Sequence, residues 1–113
     1  MGNSFFYSGV EKYEQGDYQG AIADYSKAIE INPQDADYYF IRGLAKSRLK
    51  NRQGAIADYN KAIAINPQYV LAYSNRGIAK ELVGDLKGAC ADWKEASSLG
   101  DKDAAGWVRD QCQ

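Results

Sequence analysis

The side chains of this protein that can hold a proton, a metal or an electron pair are few and evenly spaced. Histidine is absent, which removes the commonest general base and the commonest metal ligand. The two cysteines, Cys90 and Cys112, are too few for a disulfide framework. They read as small, reduced, apolar residues of a cytosolic protein, with a bridge between them left open. Asp24, Asp58 and Asp92 recur at a constant interval. Regular, helix-borne carboxylates are architecture, whereas acid–base chemistry needs two of them converging in one pocket. No glycine-rich phosphate loop or metal-spaced cysteine pair is present. The chain is therefore expected to be no enzyme and to carry no catalytic residue, metal or cofactor.

The same interval governs the rest of the chain. Gly9, Gly43 and Gly77 are spaced by it, as are Ala21, Ala55 and Ala89, then Tyr25, Tyr59 and Trp93, then Ala28, Ala62 and Ala96. A fixed period in the range of roughly 20 to 50 residues marks a solenoid, in which stacked units bury one continuous core. Each period reads as two helices. In the middle one, Ala36 to Leu49 and Gly54 to Ile65 carry apolar residues at helical spacing. Asn66-Pro67 stops the second, because the residue before proline is pushed out of the helical region. Gly16-Asp17 and Gly84-Asp85 mark inner turns, where glycine takes a left-handed conformation and aspartate caps the next helix. Lys50-Asn51-Arg52 stands at the equivalent place in the middle period, which predicts a less regular turn there. The repeated glycines, costly inside a helix, imply close approach of paired helices. Ala21, Ala55 and Ala89 are expected opposite them, with Tyr25, Tyr59 and Trp93 filling the core alongside.

The recurring pattern Gly-x-Ala … Gly-Asp-Tyr-x-x-Ala-Ile … Tyr-x-x-Ala-Ile-x-x-Asn-Pro resembles the tetratricopeptide repeat family. The resemblance spans nearly the whole chain, with repeats at about 3–35, 36–69 and 70–103 inside a single domain, 1–113. It implies an all-α fold, a right-handed solenoid of three antiparallel helix pairs. Asp101 to Asp110 reads as a seventh, capping helix within about 101–112, where Trp107 and Val108 cover the apolar end of the stack and close the array. The N-terminus shows no comparable cover, since Phe5 and Phe6 follow almost at once.

In such superhelices the first helix of each pair lines a concave groove, so the resemblance implies a protein- or peptide-binding scaffold. The lining expected here is Phe6, Tyr7, Val10, Tyr13, Phe40, Ile41, Leu44, Leu71, Asn75 and Ile78. Family members that grip the carboxylate tail of heat-shock chaperones use a clamp of Lys, Asn, Asn, Lys and Arg. The matching positions are Phe6, Val10, Ile41, Leu71 and Asn75, which make no such clamp. An apolar groove suits an amphipathic helix or an extended apolar segment, with Phe6, Tyr7 and Phe40 as its energetic centre. The alternative use of the same face is self-association, as a homodimer or by exchange of helices.

Charge adds little. A formal net charge of −1 gives no whole-molecule attraction to nucleic acid or to an anionic membrane, and Lys46, Arg48, Lys50 and Arg52 read as a solvated basic cluster. Arg42 and Arg76 are expected to pair with Asp24, Asp58 or Asp92 and to fix helix register. No apolar stretch suits a membrane span or a signal peptide. Met1-Gly2 followed by Phe6 does not fit N-myristoylation. Together these features predict a soluble, cytoplasmic protein.

Overall fold

Alanine and one large aromatic residue decide where each helix pair closes. In the computed structural model, which describes residues 3–113, seven helices follow in order. They are α1 (Ser4–Glu14), α2 (Tyr18–Ile31), α3 (Ala36–Arg48), α4 (Arg52–Ile65), α5 (Val70–Leu82), α6 (Leu86–Ser98) and α7 (Lys102–Gln111). Helices α1 and α2, α3 and α4, and α5 and α6 form three pairs, each packed on the next, and α7 packs on α6. Met1 and Gly2, on which the acylation question turns, lie outside the described residues.

Three clusters of buried residues run along the stack. The first holds Ala21, Tyr25 and Ala45, the second Tyr39, Phe40, Ala55, Tyr59, Ala62 and Ala72, and the third Ala89, Trp93, Ala96 and Ala104. Each cluster is completed by an alanine of the following first-type helix: Ala45 from α3, Ala72 from α5 and Ala104 from α7. One repeat cannot close its own core, which is why the units stack. Helix α7 serves the third pair as α3 serves the first. Trp107 packs on Trp93 with ring centroids 5.3 Å apart, and it stands one full period after Tyr73, in the register of the first helices.

The glycines work differently from the small-against-small packing expected of them. A β-carbon on Gly9 would meet Cε1 of Tyr25 at 2.5 Å, and one on Gly43 would meet Cε1 of Tyr59 at 2.7 Å. On Gly77 it would run into the Trp93 indole. Each first helix thus seats an aromatic ring of its second helix directly on bare backbone.

The inner turns are regular in all three repeats, which corrects the expectation for the middle one. Gly16 and Gly84 have φ of 82° and 90°, and Lys50 takes φ 63° at the same place. Asp17, Asn51 and Asp85 then cap α2, α4 and α6, their side chains accepting from the backbone N–H of Gly20, Gly54 and Gly88. With Asn51 as the cap, α4 begins at Arg52, ahead of the expected Gly54. The cap and the hydrogen bond from Asn51 N–H to the Lys46 carbonyl (2.9 Å) outweigh the strain of a left-handed lysine. Gly100 repeats the device at φ 107°, and Asp101 caps α7.

The cysteines are bonded to each other. Cys90 on α6 and Cys112, the C-cap of α7, form a disulfide, and the reading of two reduced thiols is corrected accordingly.

Candidate functional site

The constant interval of the repeats brings equivalent side chains of α1, α3 and α5 into rows. One row is Tyr7, Ile41 and Asn75; the next is Val10, Leu44 and Ile78; a third is Glu14, Arg48 and Leu82. Along α5, Leu71, Asn75, Ile78 and Leu82 recur at helical spacing and form one stripe.

Contacts between first helices hold this layer together. The ring of Phe6 stacks on Tyr38 at 4.9 Å, and Phe40 packs on Tyr69 at 5.0 Å. Arg48 Nε donates to the Tyr13 hydroxyl (3.1 Å), and the Tyr69 hydroxyl donates to Asp37 Oδ1 (2.5 Å). Burial, with the Asp37 carboxylate beside it, raises the Tyr69 hydroxyl above the ordinary tyrosine range, so this donor stays protonated.

The ten residues expected to line the groove divide into two groups. Phe6, Val10, Tyr13 and Ile41 pack against the first core cluster, while Phe40 belongs to the second and Leu44 packs against it. These six are taken up, wholly or in part, by the core. Tyr7 (62% exposed), Leu71 (56%) and Ile78 (37%) stand open to solvent, as does Leu82 (56%), a residue absent from the expected lining. Leu82 lies one helical turn beyond Ile78 on the same stripe, a signal present in the sequence. Asn75 is half-buried, and its Nδ2 donates to the Leu71 carbonyl (2.8 Å). Between α3 and α5, Ser47, Asn75, Ile78, Ala79 and Leu82, with Arg52, surround a small cleft of about 110 Å³.

Five cations of the first helices, Lys12, Arg42, Lys46, Arg76 and Lys80, reach carboxylates on the second helices. Arg42 makes a two-pronged bond to Asp58 (Nε–Oδ2 2.9 Å, Nη2–Oδ1 2.7 Å), and Arg76 does the same to Asp92 (2.9 and 2.6 Å). The Asp58 hydrogen bond raises the pKa of Arg42. Lys46 and Lys80 complete the two sites at 3.1 Å each. Asp24 takes Ser8 Oγ (2.6 Å) and Lys12 Nζ (2.9 Å) in their place. The Ser8 and Lys12 hydrogen bonds hold the Asp24 carboxyl below the ordinary carboxylate range. Lys46, grouped by sequence with the solvated cations, is thus tied to a buried carboxylate. Arg42 Nη1 also reaches Ser26 Oγ (3.2 Å) and Arg76 Nη1 reaches Asn60 Oδ1 (2.8 Å), each on the preceding repeat. These ties fix the helices in register. Among the described residues no group of three or more His, Cys, Asp or Glu side chains is placed to hold a metal, and no helix is long and apolar enough to cross a membrane.

The family model described as "TPR repeat" matches residues 9–50 and 51–84. No curated protein matches the chain. Among solved structures, the first TPR of Spaghetti (RPAP3), bound to HSP90 peptide SRMEEVD, is 30% identical with a TM-score of 0.89, covering 94% of this chain and 86% of its own. The Arabidopsis OM64 TPR domain is 31% identical with a TM-score of 0.89 and covers 94% and 89% respectively. The second TPR domain of human RPAP3, in complex with HSP70 peptide SGPTIEEVD, is 25% identical with a TM-score of 0.89, covering 97% and 93%.

Proposed function

The chain belongs to the tetratricopeptide repeat family, a right-handed all-helical solenoid whose domains mediate protein–protein or peptide binding, and we propose that it binds an apolar protein segment along α1, α3 and α5. One observation carries this reading: Leu71, Ile78 and Leu82 form an exposed apolar stripe on α5, which continues the rows of the half-buried Ile41 and Leu44 of α3. An amphipathic helix or extended segment laid across it would bury this surface, at about 25 cal/mol per Å² of apolar area.

The partner differs in kind from the acidic peptides held by two of the neighbours. Their ligands end in Glu-Glu-Val-Asp, and recognition of such a tail rests on cations and amides that meet carboxylates. Phe6, Val10, Ile41 and Leu71 offer neither, and the Asn75 amide is engaged with its own helix. Of the cations on α3 and α5, Arg42, Lys46, Arg76 and Lys80 are held by Asp58 and Asp92, and Arg48, in the row of Leu82, is engaged with the Tyr13 hydroxyl. The groove is therefore read as a non-catalytic apolar receptor.

Selection from a displayed peptide library, followed by an NMR titration of the best binder, tests the proposal. Shifts should concentrate at Tyr7, Leu71, Ile78 and Leu82, and Ile78→Glu with Leu82→Glu should abolish binding while leaving the fold intact. A peptide ending in Glu-Glu-Val-Asp should not bind. Shifts confined to α2, α4 and α6 would overturn the reading. Light scattering across concentrations should return a monomer; a dimer disrupted by Ile78→Glu would instead make this face an interface between two copies.

A further inference from the structure

The Cys90–Cys112 bridge lies in the wall of a cleft of about 520 Å³ formed by α6 and the segment following α7. Leu86 and Ala91 give the cleft an apolar side, and Lys87 and Lys94 line it as well. Neither lysine is held by a carboxylate in an ion pair among the described residues. Both are neighbours of Cys90 on the α6 surface, one helical turn to either side of it. Cys112 has one cation at comparable spacing, Arg109 on the last turn of α7, but its Nη2 lies back against Gly106, 3.5 Å from where a β-carbon would stand, and as the C-cap Cys112 sits at the negative end of the helix dipole.

The two sulfurs are therefore unequal. Cations beside a cysteine stabilise its thiolate, and the sulfur with the more stable thiolate is the better leaving group in exchange. We propose that this bridge is a thiol-exchange site, in which a small anionic thiol enters the cleft and attacks Sγ of Cys112, expelling Cys90 as thiolate.

The step balances. The incoming thiolate forms a new S–S bond to Cys112 while the Cys90–Cys112 bond breaks, and its electron pair stays on Cys90 between Lys87 and Lys94. A second thiolate attacks the small-molecule sulfur of the mixed disulfide, freeing Cys112 and releasing the oxidised small disulfide. The protein gains two electrons, and the two cysteines take up protons according to the pH. Small thiols are the abundant reductant in a reducing compartment, and the lysines favour carboxylate-bearing ones by charge. Opening the bridge would leave α7 held by its non-covalent contacts: Trp107 on Trp93, buried Ala104, and the hydrogen bond from Ser74 to Asp101.

The test is limited exposure of the native, oxidised protein to reduced glutathione, with acid quenching, alkylation by iodoacetamide and peptide mass mapping. Glutathione should appear on Cys112 and carbamidomethyl on Cys90. Lys87→Gln with Lys94→Gln, both at exposed positions, should slow the first step about fivefold with glutathione, through the poorer leaving group and the lost attraction, and less with neutral 2-mercaptoethanol. Adducts mainly on Cys90, equal slowing with both thiols, or a bridge that opens only after denaturation would each overturn the proposal.

Discussion

The ring of Tyr59 lies across the α-carbon of Gly43, so close that a β-carbon there would meet ring atoms at 2.7 and 3.0 Å. Tyr59 is fully buried and shares a hydrogen bond with Ser47 Oγ (3.2 Å), so the ring cannot withdraw without losing contacts on its other side. An exposed helical glycine replaced by alanine gains about 1 kcal/mol from propensity. Gly43→Ala is expected to reverse that sign and cost about 2 kcal/mol through overpacking. Urea denaturation measures it, and a stabilised variant would show that the ring shifts freely.

Arg76→Ala should lower the melting temperature without changing partner affinity at saturation. The guanidinium is bonded to Asp92 and Asn60 and faces away from the α5 stripe. Removing one member of a buried ion pair costs about 3 kcal/mol, here moderated because Lys80 stays on Asp92 at 3.1 Å. A variant with unchanged stability and weakened binding would move Arg76 into the receptor.

Lys50→Gly should stabilise the protein by about 1 kcal/mol, since a left-handed L-residue is strained and glycine is not. Lys50 is exposed and has φ 63°, so little contact is lost. Gly16→Ala, at φ 82°, is the mirror experiment and should destabilise. Paired thermal melts would show whether the middle turn stores this strain.

Stability should fall on both flanks of the pH scale, for opposite reasons. Asp24 is held below the ordinary carboxylate range by Ser8 first and then Lys12, and Asp101 by Ser74 first and then the Ala104 and Asp103 N–H groups. A depressed folded pKa stabilises above the unfolded value, about 4, and this contribution is lost as pH falls through the lower folded value. Tyr25 behaves the other way. Burial pushes its hydroxyl up to about 12, so its contribution is complete below pH ~10 and disappears as pH rises toward the folded value. Ser8→Ala should raise the NMR-titrated pKa of Asp24; an unchanged value would remove Ser8 as the main cause.

How much was legible in the sequence follows from what repeats. The constant interval set the helix pairs, the asparagine–proline stops and the aspartate caps, because each depends on local backbone chemistry that recurs whenever the residues recur. The pairing of Arg42 and Arg76 with carboxylates was equally legible, though which of the three aspartates each would meet was not. The middle turn was misjudged, since lysine does not announce a left-handed backbone. Only the surrounding hydrogen bonds and the Asn51 cap make that conformation the better choice.

The proposed groove shows the same division more sharply. Its rows follow from periodicity, so Tyr7, Leu71 and Ile78 could be named in advance. Whether a given member faces solvent depends on neighbours far along the chain: Phe6 is claimed by Tyr38, and Phe40 by Tyr59 and Tyr69. The bridge between Cys90 and Cys112 has the same origin. Their separation along the chain says nothing by itself, and it is the packing of α7 on α6, through Trp107 on Trp93, that brings the two α-carbons to 5.7 Å. Sequence determined the units and their caps because those are local. Tertiary packing decided which apolar side chains remained exposed and which sulfurs met, because burial is settled by the residues of the next repeat.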